Sequence, residues 1–305
     1  MKFDENKEMF IGISWIVCKC KKYHTMKKEL TLKETQQASF KILKEIKELC
    51  EKLGLKYVLA WGTLLGAIRH HGFIPWDDDV DIMMPRPDHD KLVEYMLEHK
   101  EEAAHLQVFN SNTCAGYPYM LTRISDPRYI LHTDNEKDFG LGIFVDIYVE
   151  DGAGNSKEEA LSIMNKTHGL CSLIFLSTRK HYVFGLTKSW LKRIIKVPAF
   201  IYTHIMGKKY FEHKLMKYVK AADYENSSWV ANICWGTHPN NEVYPKAKLF
   251  EDTIDADFED TKFKIPKQYD SVLRQVYGDY MQLPPKKDRI AHHFYSVYWK
   301  KDLNK

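Results

Sequence analysis

The fold is decided by one stretch of the sequence, LKYVLAWGTLLGAIRHHGFIPWDDDVDIMM, which occupies residues 55–84. Its first part, Leu55 to Trp61, is short, apolar and bounded by glycines, as is typical of a buried strand. The segment from Gly62 to Gly66 has the composition of a turn from a strand into a helix. A second apolar run, Val80 to Met84, predicts another strand, which Pro85 ends. Strand, helix and strand in this order predict an α/β sheet.

Four carboxylates lie within five positions where this second strand begins: Asp77, Asp78, Asp79 and Asp81. Because side chains alternate along a strand, we expect Asp77, Asp79 and Asp81 on one face and Asp78 on the other. Two unit charges about 4 Å apart repel each other by about 4 kcal/mol at an effective dielectric constant of about 20, which favours a bound cation. Carboxylates suit Mg²⁺ or Mn²⁺, and the cluster therefore indicates a metal site for displacement at phosphorus.

Asp146 could add a further carboxylate, because it lies in the apolar segment from Ile143 to Val149 that predicts a neighbouring strand. An aspartate run beside a proline is commonly a solvated turn or a set of helix caps. The apolar neighbours of Asp81 and Asp146 favour the metal site over that alternative, since buried carboxylates without a function would be costly.

The turn before the acidic strand has the composition of a phosphate cradle. Gly62 and Thr63 would offer backbone N–H groups and a hydroxyl, and Gly66 completes a G-x-x-x-G spacing that more often marks a tight connection. Arg69 and Arg123 suit either of two roles, a bidentate contact to a phosphate or an ion pair with the aspartates.

The rest of the chain predicts mainly helices around this sheet. Thr31 and Glu34 have capping-box spacing before an amphipathic helix that Gly54 ends. Asp88 is predicted to cap a helix that runs to about His99. Further helices are expected at 157–220, interrupted at Gly185, Pro198 and Gly207, and at 269–277, with Gly278 as the cap. We predict three parts: a weakly ordered extension (1–25), a catalytic core (26–155) and a mainly helical acceptor-side region packed on it (156–305).

The composition is that of an ordinary globular protein, with 305 residues, 44% of them hydrophobic and 28% charged, which excludes collagen-like, disordered and multi-span membrane classes. Six scattered cysteines fit neither a zinc ribbon nor a disulfide scaffold, so we expect reduced thiols in the cytoplasm. The net charge of +4 conceals two blocks of opposite sign. Residues 61–155 form an acidic block with 7 basic and 17 acidic residues, and residues 156–250 form a basic block with 15 basic and 6 acidic residues. These blocks suggest cation binding and an anionic partner.

The sequence from Trp61 to Ile82 strongly resembles the signature of the LicD family, the phosphocholine transferases related to fukutin and fukutin-related protein. The resemblance continues through Gly142 to Ile147, Phe258 to Pro266, and Tyr277 to Tyr280. It implies a nucleotidyltransferase-like mixed sheet flanked by helices, with a mainly helical C-terminal part. Matched to the family's pattern, the residues are Gly62 and Thr63 as the turn, Asp79 and Asp81 as the metal pair, Asp146 as the third carboxylate and Asp77 as an additional acid. Asp260 stands where glycine is frequent in the family.

The resemblance implies an enzyme that transfers phosphocholine or a related phospho-alcohol from a CDP-linked donor, such as CDP-choline, to a glycan hydroxyl, with CMP leaving. The acceptor would be a cell-surface precursor of the teichoic acid, lipooligosaccharide, lipopolysaccharide or capsule type. Asp79 and Asp81 would hold Mg²⁺, or Mn²⁺, against the diphosphate, and Asp146 would ligate a second metal or accept the proton of the attacking hydroxyl. Choline, ethanolamine, ribitol and glycerol all fit a CDP-linked donor.

Three alternatives remain open at this point. A nucleotidyltransferase that uses an NTP and releases pyrophosphate would share the metal geometry. A sugar-nucleotide glycosyltransferase fits less well, because its Asp-x-Asp motif lacks the upstream Gly-Thr turn. A non-catalytic glycan-binding protein of the same fold would be expected to have lost some of the acidic residues.

Basic and aromatic residues alternate between 179 and 217, which suits peripheral contact with an anionic membrane and equally suits a solvated helix face over an aromatic core. No nucleic-acid module accompanies this region, so no nucleic-acid partner is expected. Trp61 and Trp76 bracket the acidic site and either contact a choline headgroup through cation–π attraction or pack in the core. His292 is a further candidate for contact with phosphate or metal.

Overall fold

The computed structural model describes residues 29–103, 105–133, 135–182, 190–235, 242–291 and 295–300. Within these ranges the chain forms a mixed, seven-stranded sheet with helices on both faces, which confirms the predicted α/β class. The predicted extension 1–25 lies outside the described residues.

The helix that precedes the decisive stretch is α1 (Leu32–Leu53). The Thr31 side chain accepts a hydrogen bond from the Glu34 N–H, and the Glu34 carboxylate accepts one from the Thr31 N–H, so the predicted capping box is confirmed. Gly54 ends the helix with a φ of 65°, a left-handed conformation that glycine adopts without strain. The apolar face of α1, which includes Leu43 and Ile46, is fully buried.

The decisive stretch forms β1 (Val58–Leu59), α2 (Trp61–His70) and β2 (Asp81–Pro85). The first predicted strand is shorter than expected, because the chain turns at Trp61, whose φ is 44°, and enters the helix there. Gly62 to Gly66 therefore lies in the first turns of α2 rather than in a loop before it. β1 pairs antiparallel with β2, as Val58 with Met83 and Leu59 with Ile82.

After β2 the chain enters α3 (Arg86–Glu98) directly. The predicted cap at Asp88 is wrong: Pro85 occupies the N-cap position, and Asp88 lies inside the first turn. Pro85 and Pro87 do not delay the helix, because proline is tolerated in the first turn, where its missing N–H has no helical acceptor.

The remaining sheet strands are β3 (Gln107–Phe109), β4 (Thr122–Asp126) and β6 (Ile143–Gly152), with β5 (Tyr129–His132) beside them. The sheet order is β1-β2-β6-β4-β3, in which β2 and β6 are parallel and the other neighbours are antiparallel. Helices α1 and α3 contact β6 on one face, and α2 contacts β2 on the other.

The C-terminal part is helical at first and then becomes mixed. Its helices are α4 (Lys157–Ser177), α5 (Trp190–Met206), α6 (Lys208–Val219), α7 (Lys246–Phe250) and α8 (Tyr269–Tyr277). Its strands are β7 (Trp229–Ala231), β8 (Val243–Pro245), β9 (Thr253–Phe258), β10 (Thr261–Pro266) and β11 (Ser296–Trp299). Pro198 is accommodated inside α5, whereas Gly207 separates α5 from α6, and Gly278 ends α8 as predicted.

Two of these later strands extend the main sheet, since β7 pairs with the end of β6 and β8 pairs with β7. β9 and β10 form a hairpin, and β11 pairs with β5. None of the helices in the described ranges is long and apolar enough to cross a membrane.

Candidate active site on one face of the sheet

The centre of the acidic site is a row of three side chains across three neighbouring strands. The parallel register of β2 and β6 places Asp81 beside Asp146, and the antiparallel register of β6 and β4 places Arg123 opposite Asp146. Residues that face each other in register project to the same face of the sheet. All three are buried, with exposures of 5%, 3% and 7%, respectively, so the sheet holds two carboxylates and one guanidinium out of water.

Arg123 forms an ion pair with Asp146, which is one of the two roles predicted for it. Its Nε lies 2.6 Å from Oδ1 of Asp146, and its second terminal nitrogen lies 3.3 Å from Oδ2. The guanidinium lies 4.2 Å from the centre of the Tyr119 ring and 3.9 Å from that of Phe144. Burial alone would lower the pKa of Arg123, but the charge of Asp146 outweighs it and the pKa is raised.

Asp81 has no comparable partner. Its Oδ1 is buried without a hydrogen-bond donor, although its backbone N–H donates to the Thr63 hydroxyl at 2.9 Å. Burial first, and then the charges of Asp79, Asp146 and Asp77, raise the pKa of Asp81 well above its ordinary range. A buried carboxylate with an unused oxygen and acidic neighbours is a position that a cation would stabilise.

The three aspartates that precede β2 form the second half of the acidic site. One carboxylate oxygen from each of Asp77, Asp78 and Asp79 lies within 4.8 Å of the other two. The expectation that Asp78 points away is wrong, because the strand begins only at Asp81 and residues 77–80 have irregular backbone that does not alternate. Among the described residues these carboxylates are the group whose spacing suits a metal ion.

Two positions of α2, Gly62 and Gly66, require glycine for different structural reasons. A Cβ atom on Gly62 would lie 2.5 Å from Oδ2 of Asp77, so glycine lets this carboxylate approach the start of the helix. A Cβ atom on Gly66 would lie 2.4 Å from the backbone oxygen of Gly72, which explains Gly66 by packing rather than by contact with a substrate. Thr63 is buried and accepts the Asp81 N–H, so its own hydroxyl hydrogen remains to be donated.

The structure places the other predicted substrate residues at the edge of the site. Arg69 donates to the backbone oxygen of Tyr280 at 2.6 Å rather than to an aspartate, and burial lowers its pKa. The Trp76 ring lies 6.3 Å from that of His70, with the Arg289 guanidinium 5.5 Å from its centre. A cationic headgroup would therefore have to compete with Arg289 for Trp76. His292 lies outside the described residues.

Several residues near the acidic site were missed by the sequence reasoning. Tyr295 donates its hydroxyl to the backbone oxygen of Asp78 at 3.1 Å, more than 200 positions away in the sequence. Tyr277, at the end of α8, is 42% exposed as a whole residue, but desolvation of its hydroxyl, and then the charges of Asp77, Asp81 and Asp79, raise its pKa. The sequence carries no local signal for either residue, because both lie far from the aspartates along the chain.

Comparison with known proteins gives results that agree with this geometry. Residues 54–150 match the nucleotidyltransferase domain described as LicD/FKTN/FKRP. The chain is 31% identical over 272 residues to the lipopolysaccharide cholinephosphotransferase LicD of Haemophilus influenzae, a match that covers 89% of this chain and 99% of that protein. It is also 39% identical over 62 residues, 20% of its length, to uncharacterised proteins of Rickettsia prowazekii and Rickettsia typhi, of which the match covers 23% and 20%.

Proposed function

The chain belongs to the LicD family of transferases, and on this premise we propose that it transfers phosphocholine from CDP-choline to a hydroxyl of a lipopolysaccharide-type glycan precursor. In this reaction the acceptor oxygen forms a bond to the choline-bearing phosphorus. The bond from that phosphorus to the bridging oxygen breaks, CMP leaves with the electron pair, and the hydroxyl proton is released. Teichoic acid and capsule precursors are the other acceptors that we expect for this chemistry.

The observation that carries the proposal is the buried, unpartnered Oδ1 of Asp81 beside a cluster of further carboxylates. The donor set consists of hard oxygens, which fits Mg²⁺ or Mn²⁺. Asp77, Asp79 and Asp81 would hold the ion, and a bound ion would neutralise the charge on the diphosphate oxygens. Asp78 adds a further carboxylate oxygen to this set.

The surrounding residues would position the donor. Thr63 accepts the N–H of Asp81 and would donate its hydroxyl hydrogen to a phosphate oxygen. The first N–H groups of α2, at Gly62 and Thr63, favour an anion at the same place, because they lack acceptors within the helix.

Asp146 suits one of its two predicted roles better than the other. Its ion pair with Arg123 stabilises the ionised carboxylate, and a stabilised carboxylate is a weaker proton acceptor. We therefore assign Asp146 to the metal side of the site, with Arg123 fixing its orientation, rather than to general base catalysis.

CMP release from CDP-choline in the presence of Mg²⁺ tests the proposal directly. We expect release by the parent protein and its loss in Asp79→Asn and Asp81→Asn, with Glu98→Gln, a change of an exposed residue on α3, as the matched control. Pyrophosphate release from an NTP, without CMP release from a CDP-alcohol, would favour the nucleotidyltransferase alternative. Undetectable Mg²⁺ and Mn²⁺ binding by calorimetry would favour a non-catalytic glycan-binding protein.

The region 179–217 supports an additional proposal, peripheral contact with an anionic membrane that carries a lipid-linked acceptor. Helix α5 exposes four large apolar side chains: Ile201 (53%), Tyr202 (47%), Ile205 (76%) and Met206 (37%). Lys209, Lys214 and Lys217 of α6 are exposed, whereas Lys208 pairs with Glu212 at 3.0 Å and its side chain is only 11% exposed. Arg179 does not belong to this surface, because it is buried in an ion pair with Glu136 at 2.7 Å. An exposed apolar stripe beside lysines favours an anionic lipid surface.

Vesicle flotation at low salt tests this contact. We expect the protein to float with vesicles that contain phosphatidylglycerol and to remain in the soluble fraction with neutral phosphatidylcholine vesicles. The double substitution Ile201→Ser and Ile205→Ser should abolish flotation, whereas unchanged flotation of this variant would remove α5 from the contact.

A further inference from the structure

Unpartnered polar atoms concentrate around Tyr148, in the middle of β6. In the part of the chain that the structure describes, nine buried side-chain nitrogen and oxygen atoms lack a hydrogen-bond partner. Four of them belong to residues that the strand register or a ring contact places near Tyr148: Oδ1 of Asp81, Nε1 of Trp61 and both carboxylate oxygens of Glu150. A buried polar group without a partner is destabilising unless a ligand supplies one, so this concentration points to a bound molecule.

The strand register brings these residues to one face of the sheet. Asp81 and Met83 on β2 lie beside Asp146 and Tyr148 on β6, and Glu150 follows Tyr148 on the same face. Glu150 lies four positions after Asp146, which corresponds to about 13 Å along a strand. The acidic centre and Glu150 are thus two ends of one face, with Tyr148 between them.

Aromatic rings occupy the space between these two ends. The ring of Trp61 lies 5.8 Å from that of Tyr148, and the ring of Trp235 lies 6.3 Å from it, both in edge-to-face geometry. Tyr119, which packs on Arg123, lies 5.8 Å from Trp235. Trp61, Tyr148 and Trp235 therefore offer π faces and edges on the face of the sheet that also carries Glu150, two positions after Tyr148.

Glu150 is fully buried and, unlike Asp146, has no arginine. Burial first, and then the charges of Asp151 and Glu242, raise the pKa of Glu150 well above its ordinary value of 4.5. The same face continues across β7 and β8, since Gly152 pairs with Val230 and Val230 pairs with Tyr244. Among the described residues no cationic side chain donates a hydrogen bond to the Glu150 carboxylate. A cation from a bound ligand would therefore neutralise this carboxylate.

We propose that Trp61, Tyr148 and Trp235, together with Glu150, form a subsite for the quaternary ammonium headgroup of the donor. This inference rests on the proposed function, because the acidic end of the same face would hold the diphosphate of that donor. Trimethylammonium groups bind to aromatic faces through cation–π attraction and cannot donate hydrogen bonds, which suits rings with a nearby carboxylate. The subsite therefore selects choline over glycerol and ribitol, which are uncharged and gain nothing from Glu150, and over ethanolamine, whose ammonium retains its hydration more strongly.

The decisive variant is Glu150→Gln, which keeps the shape of the side chain and removes the charge. We expect the KM for CDP-choline to rise about tenfold, which corresponds to about 1.4 kcal/mol of binding free energy. The KM for CDP-glycerol should remain within about twofold of the parent, because that alcohol carries no charge. Glu98→Gln, the same chemical change on an exposed residue of α3, should alter neither constant.

A pair of substitutions at Trp235 separates recognition from packing. Trp235→Leu should raise the KM for CDP-choline about as much as Glu150→Gln, and Trp235→Phe should restore most of the difference, since it keeps an aromatic face. If Trp235→Leu and Trp235→Phe behave alike, or if they change CDP-glycerol and CDP-choline equally, the aromatic part of the subsite is refuted.

Calorimetry with phosphocholine gives a readout independent of catalysis. We expect phosphocholine to bind more tightly than glycerol phosphate and the difference to disappear in Glu150→Gln. Release of CMP from CDP-choline by the parent with an unaltered KM in Glu150→Gln would overturn this subsite and leave the proposed function standing. Phosphocholine binding that depends on Glu150, without CMP release from any CDP-alcohol, would support the subsite and overturn the proposed reaction.

Discussion

The two ends of the β2–β6 strand pair can be compared by the partners of the carboxylates buried there. At the first end Asp146 is paired with Arg123 and Asp81 has an unpartnered oxygen. At the other end Asp151 is paired with Arg86 at 2.7 Å, and its neighbour Glu150 has no partner. Each end thus combines one carboxylate neutralised within the fold with one left for a ligand. The paired acids contribute to stability and have a fixed orientation, and the unpaired ones are positions where a ligand would supply a missing partner.

The largest expected effect follows from removing the unpaired acid of the first end. Asp81→Asn should lower CMP release at least about a thousandfold, since it removes charge from a buried electrostatic site. The variant should remain folded, because the Arg123 guanidinium is hydrogen-bonded to Asp146 rather than to Asp81. Steady-state CMP release and a circular dichroism melt check the two statements. Near-parental activity in a folded variant would contradict the role given to the unpaired Asp81 carboxylate.

Breaking the paired acids should instead affect stability. Arg123→Met removes the guanidinium beside the buried Asp146 and should lower the free energy of unfolding by about 3–5 kcal/mol. Arg86→Met should have a smaller effect, because the Arg86 side chain is 25% exposed and water can reach the vacated place. Urea denaturation of the two variants measures the difference, and equal losses would show that burial of the arginine is not the deciding factor.

Substitution of the two glycines of α2 should affect different properties, metal affinity at Gly62 and stability at Gly66. Gly62→Ala meets only the end of the Asp77 side chain, so it should displace that carboxylate and reduce Mg²⁺ affinity with little change in stability. Gly66→Ala meets a backbone oxygen and should lower the free energy of unfolding by about 1–3 kcal/mol. Calorimetry measures the Mg²⁺ affinity of the two variants, and urea denaturation measures their free energy of unfolding. A loss of stability in Gly62→Ala together with a loss of Mg²⁺ affinity in Gly66→Ala would contradict the structural reason given for each glycine.

A further expected effect concerns the pH dependence of stability in the absence of ligands. The folded state keeps the Glu150 proton to a higher pH than the unfolded state, whose carboxyl titrates near 4.5. The folded state then binds more protons, so the parent loses stability as the pH rises above 4.5, by up to about 1.4 kcal/mol per pH unit until the raised pKa is reached. Glu150→Gln should lack this loss.

Urea denaturation of the parent and Glu150→Gln at several pH values from 4 to 8 checks this sign. The variant should gain stability relative to the parent with increasing pH. A constant difference between the two proteins across this range would mean that Glu150 titrates as it does in the unfolded chain.

The parts of the site that are contiguous in sequence could be predicted from it. Asp77, Asp79 and Asp81 were recognised because they enter an apolar run, and Asp146 because apolar residues flank it. The structure places Asp146 beside Asp81, as the sequence suggested. Asp78 was misplaced for a physical reason: the alternation of side chains holds only in a strand, and the backbone is irregular until Asp81.

The parts that depend on strand register could not be predicted. Arg123 had two equally suitable roles in the sequence, and the ion pair follows only from its position opposite Asp146. Glu150 looks like an ordinary acid near the end of a strand, and nothing local reveals that it is buried on the face of Tyr148. Trp235 comes from a turn after β7, and its contact with Tyr148 depends on the fold of the whole C-terminal part.

The parallel pairing of β2 with β6 also has a consequence for the order in which the molecule is assembled. Asp81 and Asp146 become neighbours only after a long intervening segment, which includes α3, β3 and β4, has been closed into a loop. Contacts of such large sequence separation form late and slowly in folding. The pair of Asp81 and Asp146 is therefore assembled only with the complete sheet, and under the proposed function tight binding of a divalent ion would report that the topology of the sheet is complete.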